Sequence, residues 1–235
     1  CDGTGERSGP GAGGGGNGNG GGGGETTAVF LSSQLLAPNG TTPVANATVY
    51  QEDDGSFDPS PKNLVVGIDC PTPKRSFLTA VCSAADGSFT LPAQARAGKV
   101  TLRVEKGAFQ QSFEVNVPSA GSEEEPVDIG AVSLASNTGD GAPKIAVIAG
   151  IFDSIEDVVE EIGLTDFDLF ESESAVEALF SPASNPTLTD YDIVFINCGA
   201  PVVVDSTAQG EQRRDYLRSY VEAGGRLYVT DLAAD

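Results

Sequence analysis

The apolar pattern of the chain changes period once, across residues 137–143, and that change limits the fold more than any other feature. From Thr26 onward, short runs rich in Val, Phe, Leu and Thr alternate with turn residues, as they do when every second side chain faces a core. The runs are TTAVFLSSQLL, ATVYQ, NLVVGI, SFLTAV, GSFTL, KVTLRVE, FQQSFEVNV and VDIGAVSL. Asn39-Gly40, Asp54-Gly55, Asp86-Gly87 and Lys106-Gly107 offer the positive-φ positions that tight connections need, and Pro43, Pro59, Pro61 and Pro92 punctuate the strands. This predicts an antiparallel β-sandwich over 26–136, followed by the linker SNTGDGAP.

Beyond that linker the period becomes helical between strands. Lys144–Ala149 reads as an apolar strand, with Asp153 capping a helix whose Ile155, Val158, Val159 and Ile162 share a face until Gly163 stops it. A strand near Asp166 to Phe170 leads to a second helix, with Ser174 and Glu177 as its capping box and Val176, Leu179 and Phe180 inward. Tyr191–Ile196 is a buried strand. The helix from Glu211 to Ala223 turns Leu217, Tyr220 and Val221 inward before the strand Arg226–Thr230. The predicted fold class is thus multidomain β plus α/β, with a parallel-sheet, three-layer α/β domain over 144–235. Four strands fall short of the usual five or more, so a continuation past Asp235, or a subunit over the last edge, is expected. Such sheets bind ligands at the carboxyl ends of their strands, which makes Gly150, Asn197, Cys198, Gly199 and Asp231 the candidate ligand rim.

Charge and composition exclude several function classes. A net charge of −21, from 34 acidic and 13 basic side chains, repels nucleic acid and anionic lipid headgroups. Histidine is absent, which removes Ser-His-Asp triads, Cys-His dyads and most zinc constellations. No cofactor is expected, because Ala149-Gly150-Ile151-Phe152-Asp153 has neither a G-x-G-x-x-G fingerprint nor a Ser/Thr-rich phosphate loop. No run approaches the ~20 apolar residues of a membrane helix.

Residues 2–24 are dominated by Gly and hold nothing large enough to found a core, so 1–25 is read as a disordered tether. Cys1, at the head of a chain without methionine, resembles the mature terminus of a bacterial lipoprotein, whose thiol is acylated after the signal peptide is cut. That resemblance implies attachment to a membrane through acyl chains on Cys1, in a bacterial cell envelope, periplasmic or surface-exposed. The Asn39-Gly40-Thr41 and Asn46-Ala47-Thr48 triplets would then be incidental as glycosylation sequons.

In an exported chain, cysteines that the fold brings together are oxidised, and Cys70 with Cys82 is the natural pair. Their bridge would staple the acidic, Pro-rich insertion from Gln51 to Arg75. Within it, Asp53, Asp54 and Asp58 are calcium candidates without EF-hand spacing, and a solvated acidic turn is the alternative reading. The candidates for catalysis are Cys198, at a strand end, and Asp231. Neither has an imidazole to activate it.

Two further resemblances rest on named residues. GTTPVANATVYQ, AADGSFTLP and AGKVTLRVEKGAFQQSFEVNV look like the carboxypeptidase regulatory-like, transthyretin-type sandwich, which implies a non-catalytic spacer or adhesion module. DYDIVFINCGAP followed by RRDYLRSYVEAGGRLYVTDLA resembles the class I glutamine amidotransferase-like superfamily, of flavodoxin-like type. Where those enzymes carry a Gly-X-Cys-X-Gly elbow, this chain has Val229-Thr230-Asp231-Leu232-Ala233, so the resemblance implies the fold without the chemistry. The expected function is a non-catalytic envelope lipoprotein presenting binding or assembly modules to a protein or glycan ligand, with homo-oligomerisation open. Two alternatives remain: an exported hydrolase using Cys198 or a nucleophile beyond residue 235, and a calcium-dependent adhesin.

Overall fold

Eight strands, then four strands alternating with three helices, form two sheets in the computed structural model, which describes residues 26–52, 70, 72–73, 77–96, 98–117, 121–182, 185–202 and 207–230. The tether with Cys1, the expected strand NLVVGI, the calcium candidates Asp53, Asp54 and Asp58, and the rim residue Asp231 lie outside them. The fold is β plus α/β, as the change of period implies.

The first sheet comprises β1 (Thr26–Leu36), β2 (Thr48–Glu52), β3 (Phe77–Cys82), β4 (Ser88–Arg96), β5 (Lys99–Lys106), β6 (Phe109–Asn116), β7 (Val127–Asp128) and β8 (Val132–Ser133). Its strand order is β3-β2-β5-β4-β1-β7, with β6 beside β5 and β8 beside β1. The β4–β5 ladder is a single pair, Arg96 with Lys99, so the chain turns a corner there at Gly98, whose φ is 74°. Gln94 pairs with Ala28 of β1, but on its other side β5 has already diverged, and the Gln51 side chain takes the place of a strand there. Its Nε2 donates to Gln94 O at 2.7 Å and its Oε1 accepts from Gln94 N at 2.8 Å. Val29, Leu31, Leu91 and Ala93 from one side of the corner share a core with Val49, Val100, Leu102 and Val104 from the other. The sheet is mixed, which corrects the purely antiparallel expectation: β7 and β8 run parallel to β1. The run VDIGAVSL splits into these two short strands at Gly130, whose φ of 74° breaks the extended backbone.

Alternation in β4 is strict, with every second residue buried, whereas Thr48 to Gln51 of β2 are all buried. The second face of β2 and β5 is therefore covered as well. Tyr50, Arg103 and Glu105 sit there, with Tyr50 Oη donating to Glu105 Oε1 at 2.6 Å and Arg103 Nε 2.6 Å from Glu52 Oε1. Phe77 packs edge-on against Tyr50. The expected Cys70–Cys82 disulfide is present and brings Cys70 over this face, its Sγ 3.2 Å from Thr48 Oγ1.

The second sheet is wholly parallel, in the order β10-β9-β11-β12, from β9 (Ile145–Ile148), β10 (Phe167–Phe170), β11 (Ile193–Ile196) and β12 (Arg226–Val229). Helices α2 (Glu173–Leu179) and α3 (Ala208–Glu222) cover one face through Val176, Leu179 and Tyr220. On the other face α1 (Ile155–Glu161) contributes Ile155 and Val159, and Phe109 of the first sheet joins the same cluster. Several expected caps are corrected. Ser172, not Ser174, caps α2 by accepting from Ala175 N, because the helix begins one residue before Ser174. Val221 is exposed on α3, while Arg213 is buried there, its guanidinium set against Phe180 and near Glu177.

The two sheets are fastened to each other by backbone contacts. Asn39 N donates to Ile162 O at 3.0 Å and its Nδ2 to Glu161 O at 3.2 Å, so the β1–β2 turn caps the carboxyl end of α1. A Cβ at Gly163 would overlap that turn, and its φ of 88° suits glycine alone. Gln110 N donates to Gly141 O at 3.0 Å, and Thr138 gives both its N and its Oγ1 to Asp166 Oδ2 at 2.9 Å. These bonds hold the Asp166 carboxyl below the usual carboxylate range. Its stabilising contribution is present above the ordinary value of about 3.9 and disappears as pH falls through the depressed one. Asp166→Asn should therefore flatten the acid limb of the stability–pH curve. An unchanged limb in that variant would remove Asp166 as its source.

Burial, reinforced by the Glu105 and Asp168 carboxylates that accept from them, pushes the phenols of Tyr50 and Tyr191 far above their ordinary value. Burial, aided by the Asp192 charge and opposed by Arg226, does so for Tyr220. Folded chains keep these three protons where unfolded chains lose them, so the contribution is whole below about pH 10 and declines above it. In alkaline titration, phenolate absorbance from these three should appear together with loss of β-sheet dichroism. Smooth ionisation ahead of unfolding would contradict the packing described.

Candidate functional site

In the order β10-β9-β11-β12, the chain leaves β9 toward one side to form β10 and crosses back to form β11 on the other. The connections diverge between β9 and β11, and a crevice outside the carboxyl ends of those two strands is where such sheets take ligands. Gly150, Asn197, Cys198 and Gly199 meet there. Their proximity follows from register, since Ile148 pairs with Ile196 and both chains leave the sheet one residue later.

The crevice is closed by its own backbone. A Cβ at Gly150 would overlap the Cys198 carbonyl, so the two loops touch main chain to main chain. Cys198 O accepts from Ile151 N at 3.1 Å and Phe152 N at 3.3 Å, and Asn197 N donates to Ile148 O at 3.0 Å. The Cys198 amide donates to Asp153 Oδ1 at 2.8 Å. Asp153 thus spends its carboxylate on the neighbouring loop instead of capping α1, a correction to the expected role. The helix starts instead from Ser154, which makes no side-chain cap bond.

Asn197 is wholly buried and donates from Nδ2 to Glu156 Oε2 at 2.7 Å, which ties the end of β11 to the first turn of α1. Its Oδ1 has no hydrogen-bond partner among the described residues. The Cys198 thiol is buried, with 7% of the residue exposed, and is unpaired. The amides of Ile151, Phe152 and Cys198, which could otherwise have polarised a carbonyl, are all engaged. Among the described residues, no group of three or more His, Cys, Asp or Glu is placed to hold a metal ion.

What the site presents outward is apolar. Ile151 and Phe152 are 78% and 66% exposed, and their side chains lie over Gly199, where a Cβ would run into both. Four of the expected rim residues, Gly150, Asn197, Cys198 and Gly199, are brought together, while Asp153 as an anchor, Glu156 as the partner of Asn197, and this exposed pair were not anticipated. The signal for the pair was two large apolar residues standing after a glycine, outside both the strand run and the helical stripe. The carboxylates gave no signal, because helix-first-turn acids are common for reasons of the helix dipole alone.

Compared with known proteins, the chain matches no protein-family model and no curated protein.

Proposed function

We propose that this chain is a non-catalytic lipoprotein of a bacterial cell envelope, held at a membrane through acyl chains on Cys1 and presenting recognition surfaces on a transthyretin-type sandwich and an amidotransferase-like, three-layer α/β domain without a nucleophile. The observation that carries this reading is the closure of the crevice between β9 and β11. The amides of Ile151, Phe152, Asn197 and Cys198 are bonded within the protein, the thiol is buried, and the loop that closes the crevice points Ile151 and Phe152 at solvent. A pocket for chemistry needs unused donors aimed at a reacting atom. Here the donors have been spent on rigidity, which suits a binding platform.

Two measurements test it together. Intact mass spectrometry of the native protein should find acyl chains on Cys1, and an unacylated native Cys1 overturns the anchor. Alkylation of the folded protein should proceed slowly at Cys198, as burial requires, and Cys198→Ala should leave stability within about 1 kcal/mol. Rapid alkylation of Cys198 accompanied by loss of a hydrolytic activity would establish the exported hydrolase instead.

A further inference from the structure

We propose that the loop joining β9 to α1, together with the outer side of α1, is a docking surface for a cationic amphipathic polypeptide segment: one that sets Lys or Arg beside apolar anchors. The inference deepens the recognition reading above by naming the partner's chemistry. Four large apolar side chains stand exposed along fewer than fifteen residues: Ile151 and Phe152 on the loop, 78% and 66% exposed, and Val158 and Ile162 one helical turn apart, 52% and 36% exposed. The apolar stripe of α1 is wider than the stripe it buries, since only Ile155 and Val159 reach the core. Such a face is an interaction surface when it is held in shape and rimmed by polar groups.

It is held in shape. Both loop amides are fixed to Cys198 O, the two loop side chains lie over Gly199, and Asn39 bonds the other end of α1. A partner would order little on binding, which is the cost that usually erodes affinity.

Its rim selects the partner. Asp157, Glu160 and Glu161 are exposed on the same helix. The 68 residues between Lys144 and Arg213 contain 14 carboxylates and neither lysine nor arginine. Lys144 lies over the ring of Tyr191, and Arg213 is buried against Phe180. No cation from this stretch of chain offsets the rim. A second copy would bring the same carboxylates to the contact, and an anionic bilayer would be repelled by them, so both are disfavoured relative to a basic segment.

The test uses the whole folded chain and an 18-residue Lys/Leu amphipathic peptide, with a Lys/Ser peptide of equal charge and a Glu/Leu peptide as comparisons. Binding measured by fluorescence anisotropy should be confined to the Lys/Leu peptide. It should weaken about tenfold or more in Ile151→Ser/Phe152→Ser, at unchanged melting temperature, and again on raising salt from ~50 to ~300 mM. Glu160→Gln/Glu161→Gln, remote from the folding core, should weaken it independently. Equal binding of the Lys/Ser peptide, indifference to the loop substitutions, or absence of binding at ~100 μM peptide would each overturn the proposal. So would a concentration-dependent dimer in sedimentation that the loop substitutions abolish. None of these outcomes bears on acylation of Cys1, so the anchor stands or falls separately.

Discussion

Replacing Arg103 by Met should cost the fold about 3–5 kcal/mol, one of the two largest effects expected of any single change outside the main core. Arg103 is only 3% exposed, and its Nε sits 2.6 Å from Glu52 Oε1 on the covered face of β2 and β5. Glu105 lies two residues along the same strand face, also buried, and is bonded to Tyr50. Removing the guanidinium leaves two carboxylates in a poorly solvated layer with their counter-charge gone, and the penalty is the desolvation that the cation had offset. The compensating experiment makes the claim specific. Arg103→Met combined with Glu52→Met should recover part of the loss, because one of the two stranded carboxylates is removed along with its partner. Chemical denaturation that finds the double variant as unstable as the sum of the singles would refute this account.

Gly150→Ala should destabilise by about 3 kcal/mol, although alanine is ordinarily a mild replacement. The added methyl would fall on the carbonyl oxygen of Cys198, a main-chain atom that cannot swing aside without breaking its bonds to Ile151 and Phe152. The expected signature is a lowered melting temperature with a loosened β9–α1 loop, visible as faster amide exchange at Ile151, Phe152 and Cys198. Cys198→Ala at the facing position serves as the contrast and should be nearly silent. A stable Gly150→Ala protein with unaltered exchange would mean that the two loops are not in contact.

The architecture was legible wherever periodicity alone decides structure. The run GSFTL identified the first half of β4, although Pro92, expected to punctuate, sits within a strand that runs on to Arg96. The uninterrupted apolar runs IAVI and IVFI identified buried parallel strands, and the spacing of Cys70 and Cys82 identified their bridge. What escaped was everything decided by contacts distant in sequence. Asp153 looks like a helix cap from its neighbours and is claimed by an amide 45 residues away. Asn39 looks like a turn residue or a sequon and is the cap of a helix in the other sheet. Ile162 and Val158 look like core from their spacing and are left uncovered, because α1 is only seven residues long and meets the sheet along a narrow stripe. Gly150, Asn197, Cys198 and Gly199 do meet at the carboxyl ends of β9 and β11, because that juxtaposition follows strand order and not side-chain identity. Closure of the crevice depended on which amides found carbonyl partners, and no local pattern encodes that.

β1 is the first element among the described residues and lies inside its sheet, matched residue by residue with β4 on one side and over short stretches with β7 and β8 on the other. In the antiparallel β1–β4 ladder the bonds stand at right angles to the strand. Tension entering at Thr26 and directed along β1 would therefore strain the β1–β4 rungs together instead of peeling them in succession, so a pull from the amino-terminal side, such as the anchor proposed above would exert, would meet the sheet in shear.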